Sequence, residues 1–147
     1  MTPKGKLDEF AEHAAHVKAQ ARARGRELDV YTVAPITCRP TTKEAEDYYR
    51  HCVVDHADWA AVDRIMAMRG DTPEKWGEEF PAMRLHQANG LGGVPIAGDP
   101  DLVAGELAAI ARAGAKGIAM SFVNYLDELP YFCAEVLPRL QRMGLRA

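Results

Sequence analysis

Gly117-Ile118-Ala119-Met120-Ser121-Phe122-Val123-Asn124-Tyr125 is the stretch that decides the fold. Its apolar start and polar end read as a buried strand that delivers Ser121, Asn124 and Tyr125 at its C-terminal end. Just upstream, Gly98-Asp99-Pro100-Asp101-Leu102-Val103-Ala104 reads as a helix start. Asp99 is the cap, and Pro100 sits in the first turn, where a missing N–H leaves nothing unpaired. Val103, Leu107, Ile110 and Ala111 supply the buried stripe of that helix, Gly114 closes it and Gly117 opens the strand. Downstream, Asp127 is the expected cap of a last helix. Leu129, Phe132, Cys133, Val136, Leu137 and Leu140 form its core face, and Pro138 kinks or restarts it. Helix, strand, helix is one α/β repeat, and a parallel strand presents functional groups at its C-terminal end.

Working outward, Leu28–Cys38 (LDVYTVAPITC) reads as a second strand. Its near-continuous apolarity predicts a parallel strand covered on both faces. Pro35 removes one donor and implies a bulge, an edge or an early strand end. Thr41 and Glu44 have capping-box spacing and start a helix over about 42–54, which continues or restarts through Met68 and ends at Gly70. Tyr48, Cys52, Trp59, Val62 and Met66 are its expected inner side. An amphipathic helix built on Leu7, Phe10, Ala14, Val17 and Ala21 precedes all this and ends at Gly25. Residues 70–98 are punctuated by Gly and Pro and read as an irregular, mobile-loop-like region with short helices near 74–80 and 82–88. Val94–Ala97 is a weak third strand. Two good parallel strands cannot close a barrel, which takes about 250 residues when complete. The 147 residues are therefore expected to be a single C-terminal segment of something larger.

Composition excludes several classes. A net charge of −3 gives no basic footprint for nucleic acid. No apolar run approaches the roughly 20 residues of a membrane helix, and the N-terminus lacks the apolar core of a signal peptide. Cys38, Cys52 and Cys133 are odd in number and unpatterned, so free thiols and a cytoplasmic location are expected, with core filling the default for all three.

Val30–Thr41 (VYTVAPITCRPT) followed by Glu44-Ala45-Glu46, Gly98–Ala104 (GDPDLVA), and Phe122–Pro130 (FVNYLDELP) followed by Phe132 and Val136-Leu137-Pro138 together carry a resemblance. In linear order they resemble the C-terminal portion of the bacterial luciferase-like, flavin-dependent monooxygenases, in particular the dimethyl sulfone and alkanesulfonate subgroup. The resemblance implies a partial (β/α)8 TIM-type barrel, α/β and helix-rich. Leu28–Cys38 would be its seventh strand and Lys116–Val123 its eighth. It implies reduced FMN as cofactor, commonly delivered by a flavin reductase. With O2, the complete enzyme would oxidise a small organic substrate, organosulfur compounds being one class. The chain departs from the family by having no counterpart of the first six strands. It is therefore not expected to bind FMN tightly or to act alone. The partner implied is an N-terminal half or another copy of the chain. The reading from a different class is a non-catalytic α/β module that oligomerises or completes a partner.

Candidate site residues follow from the strand ends. By position Tyr125 matches an active-site tyrosine of sulfonate-oxidising relatives, and its phenol could donate a hydrogen bond to substrate or flavin. The plainer reading is a packed ring with a wet hydroxyl. Asn124 could read an amide or an oxyanion, or merely turn the chain. Ser121 could face the lumen or fill core. Arg39, just past the seventh strand, could bind a phosphate or sulfonate, or pair with a nearby acid. Arg84 and His86 lie where the family carries a mobile loop, and could close over flavin and substrate or simply be solvated. His51, Cys52, Asp55 and His56 do not converge on one helix face, so no metal site is expected. Asn89–Gly93 is glycine-rich but follows no strand, so it is not a phosphate-binding fingerprint.

Overall fold

The computed structural model describes residues 4–90 and 93–146, with side chains from Leu7 onward. Helix α1 (Lys4–Arg22) leads to strand β1 (Tyr31–Cys38) and helix α2 (Thr42–Arg50). A π-helical turn, His51–Asp55, separates α2 from α3 (Trp59–Arg69). Next come α4 (Pro73–Trp76), a 3-10 turn (Gly77–Glu79), α5 (Phe80–Ala88), β2 (Ile96–Gly98), α6 (Pro100–Arg112), β3 (Gly117–Ser121), α7 (Tyr125–Glu135) and α8 (Leu137–Arg142). The weak third strand is thus real, shifted to Ile96–Gly98, while the two longer strands are trimmed at their ends.

The sheet is entirely parallel, with β1 in the centre, β2 on one side and β3 on the other. The ladder to β3 runs from Tyr31 opposite Gly117 to Pro35 opposite Ser121, and the ladder to β2 begins at Ile36 opposite Ile96. This resolves the proline. Val33 O accepts from Val94 N, and Arg39 N donates to Gly98 O, so odd residues of β1 direct their backbone groups toward β2. Pro35 shares that parity, and its absent donor falls just before β2 begins, where no ladder bond is lost.

Side chains alternate along β1. Ala34, Ile36 and Cys38 point into a core with Ile96, Val103, Leu107, Ile110, Phe132 and Val136. Helices α6, α7 and α8 cover that face. Phe132 and Val103 are almost completely buried, each worth about 1.5–3 kcal/mol. On the other face Tyr31 is 66 % and Val33 40 % exposed. The expectation of a strand covered on both faces is therefore corrected: within the described residues nothing packs over that side.

Local signals explain the helices. Thr41 and Glu44 close the capping box, with Glu44 N donating to Thr41 Oγ1 and Thr41 N to the Glu44 carboxylate. The expected helix over 42–54 instead stops at Arg50 and passes through the π turn. Asp58 caps α3, and Gly70 ends it with φ 69°. Asp99 caps α6 through Asp101 N and Leu102 N, and also accepts from Thr42 Oγ1 at 2.7 Å. Residues 73–88 are helical almost throughout and pack on α3. The cap of the last helix is corrected from Asp127 to Asn124, whose Oδ1 accepts from Leu126 N at 3.1 Å; Asp127 accepts from Asn124 Nδ2. The helix breaks at Val136 and restarts with Pro138 in its first turn, as expected. Cys133 is not core but exposed, and Leu129 is 39 % exposed.

Candidate active site

Parallel alignment puts the C-terminal ends of β1 and β3 on the same rim of the sheet, and polar groups gather there. Ser121 ends β3 opposite Pro35. Asn124 and Tyr125 follow as the cap and first residue of α7, and Arg39 follows β1. Arg39 pairs with an acid, and the acid is Glu128, at 2.7 Å from Nη2 to Oε1. Glu128 is only 5 % exposed. Its second oxygen accepts from Val123 N at 3.1 Å and lies 3.5 Å from Asn124 N. One buried carboxylate therefore ties the end of β1 to the turn that carries Asn124 and Tyr125. The Arg39 guanidinium also donates to Cys38 O at 2.8 Å and stacks on the Tyr48 ring at 3.8 Å.

Neither Glu128 nor Tyr48 stands out in the sequence as a site residue. The signal for Glu128 was a carboxylate in the first turn of a helix, which is common and ordinarily solvent-facing. Burial pushes the Tyr48 phenol above its ordinary range, helped by a hydrogen bond with Cys52. Burial also pushes the Cys38 thiol up to about 11, the Arg39 charge offsetting only part of that. Such a thiol is a core group and not a nucleophile.

The Tyr125 ring meets Phe122 edge-on at 5.5 Å, and Phe122 in turn meets Phe132 at 5.4 Å, so an aromatic ladder fixes the ring from below. Its hydroxyl is 3.5 Å from Met120 O, a long contact that leaves it able to turn to another acceptor. Tyr125 is 51 % exposed. Arg84 and His86 sit on α5, which packs chiefly against α3 and the 51–55 turn. Arg84 forms a two-pronged pair with Asp63 at 2.6 and 2.9 Å and stacks on Trp59 at 4.3 Å. The structure thus joins Arg39, Ser121, Asn124 and Tyr125 on one rim and places Arg84 and His86 on a separate helical layer. The π turn brings the His51 and His56 rings to 4.0 Å, yet no cluster of three or more metal-ligating side chains occurs among the described residues.

The sequence profile of the luciferase-like monooxygenases matches residues 1–117. The chain belongs to the luciferase-like monooxygenase family. Among curated proteins none matches this luciferase-like chain. Among solved structures it is similar to DmoA from Hyphomicrobium sulfonivorans, with 16% identity and a TM-score of 0.76 over 96% of this chain and 36% of that one. It is also similar to the long-chain alkane monooxygenase LadA, with 17% identity and a TM-score of 0.71 over 94% and 35%. The riboflavin lyase RcaE, solved with modified FMN and riboflavin, matches with 20% identity and a TM-score of 0.69 over 96% and 38%. The fold is accordingly a partial TIM-type barrel, and the luciferase-like chain spans little more than a third of the length of the structures it matches. No helix among its described residues is long and apolar enough to cross a membrane.

Proposed function

We propose that this luciferase-like chain forms the C-terminal wall of a monooxygenase that uses reduced FMN and O2 to oxidise a small organic substrate, organosulfur compounds being one class. The observation that carries the reading is the rim itself: Ser121, Asn124 and Tyr125 follow the C-terminal end of a parallel strand in a chain of this family. The residues present fit one side of a flavin. The open sheet face offers Val33, Pro35 and Ala119 to a flat, largely apolar ring, and the rim offers polar groups at its edge. When bound, reduced FMN supplies the electrons for O2 activation, and a separate flavin reductase would keep it reduced.

The chain's own residues then orient and donate. Tyr125 turns its phenolic O–H from Met120 O toward a developing negative charge on the substrate side. Asn124 holds the first turn of α7 so that this hydroxyl stays on the rim. Arg39, neutralised by Glu128, positions the turn and does not serve as a free anion receptor. Exclusion of water, which such chemistry needs, requires a cover over the open face that the described residues do not supply.

A titration of FMN followed by its fluorescence tests this. The chain alone is expected to leave FMN unquenched into the high micromolar range. Mixed with the remainder of a luciferase-like barrel, it is expected to give saturable quenching that weakens when Tyr125→Phe removes the hydroxyl. Absence of quenching in the mixture overturns the flavin reading. A folded oligomer that ignores flavin under both conditions would instead favour an association module, a reading the exposed apolar face supports.

A further inference from the structure

We propose that the outer edge of β3, the open face beside it and the groove behind it form a docking seam for a parallel β/α segment of barrel type, an extended strand followed by an amphipathic helix. The proposal rests on the barrel architecture proposed for the complete enzyme, and not on its chemistry.

Three surfaces meet at this seam. Among the described residues no strand pairs with β3 on the side away from β1, so alternate backbone amides and carbonyls there have no ladder partner. An unpaired five-residue parallel edge is a template for one more strand. The adjoining face leaves Tyr31, Val33 and Ala119 exposed, whereas all-parallel sheets are normally covered on both sides. The Tyr31 ring lies across Gly117, where a Cβ would come within 2.7 Å of its Cε1, so the aromatic fills only the N-terminal end of the face. On the helix side an apolar groove of about 300 Å³ runs between α6, β3 and α8, lined by Leu107, Ile118, Met120, Leu137 and Leu140. A helix that follows a strand added at this edge returns along that side of the sheet and lands in the groove.

Chain length identifies the occupant. DmoA, LadA and RcaE superpose on nearly all of this chain and continue for well over half their own length beyond the matched part. A second copy fits less well. Around a two-fold axis it would pair β3 antiparallel to β3, and it would bring a matching groove to the seam instead of a helix to fill one.

The test mixes the full chain with a purified polypeptide made of the DmoA residues outside the matched 36% and reads complex formation by sedimentation velocity without flavin. A one-to-one complex is expected. Val33→Lys and Ala119→Lys, both on the exposed face, should each weaken it at least tenfold while leaving the thermal melt of the chain unchanged. The proposal is overturned if no complex forms, or if neither substitution weakens it. It is equally overturned if the chain alone forms a dimer that the same substitutions abolish, because a second copy is then the occupant. Because no flavin enters the measurement, a complex that forms yet fails to quench FMN would sink the oxygenase reading and leave the docking seam standing.

Discussion

Arg39 and Glu128 make a half-buried cation answer a buried carboxylate, and the pair connects two elements that are 89 positions apart. Breaking such a pair from one side costs more than removing both charges, because the charge left behind is desolvated. Arg39→Met is therefore expected to cost roughly 3 kcal/mol in urea unfolding. Arg39→Met combined with Glu128→Gln should cost less than Arg39→Met alone, since Gln keeps an acceptor for Val123 N without a charge. A double variant less stable than the single would show that the pair is not what holds the turn. Cys38 makes a second residue-level case. Its thiol ionises near 9 in the unfolded chain and is pushed up to about 11 in the fold, so unfolding releases a proton in that window. Stability should fall as pH rises from about 9 to about 11, and more shallowly in Cys38→Ala. In thiol labelling at pH 8, Cys133 should react in the native state and Cys38 only on unfolding. In the sequence, Arg39 pairing with an acid was legible. Which acid was not, because spacing carries no information across so long a separation.

At the scale of elements, caps were the most legible feature. Thr41 with Glu44, Asp99 with Pro100, and Gly70 each act through the backbone of their own neighbours, so the signal and its target lie within a few residues. Asp99→Ala should lower stability by about 1–2 kcal/mol. Hydrogen bonds from Leu102 N and Thr42 hold the Asp99 carboxyl below its ordinary range. Its contribution is therefore complete at neutral pH and is lost as pH falls through the folded-state value, so the gap between Asp99→Ala and the parent should close in strong acid. Asp127 was the misleading cap. Asn124 and Asp127 both offer a side-chain oxygen, and the choice fell to Asn124 because Glu128 already holds the N–H groups of Val123 and Asn124. Gly93 was legible only as loop punctuation. It has φ +86°, and its Cα lies against the Val33 carbonyl, so a Cβ there would collide with β1. Gly93→Ala should lower the melting temperature by more than Gly90→Ala, where nothing stands within 4 Å; equal losses would mean that the close approach is not real.

For the molecule as a whole, the order of helices and parallel strands was legible because each strand is bounded by turn chemistry. The coverage of the sheet was not. Apolarity along Tyr31–Cys38 reports what covers a strand in the complete fold, and it reads the same whether the cover is inside or outside the segment at hand. That accounts for a strand that looks buried on both faces yet leaves Tyr31 and Val33 exposed. The central claim is that β3 is the last strand of an unfinished wall. Amide hydrogen exchange across Gly117–Ser121 in the chain alone tests it most directly. The account predicts alternation, with amides bonded to β1 protected and those facing outward exchanging as fast as loop amides. Uniform protection along β3 would show its outer edge already paired and would contradict the account.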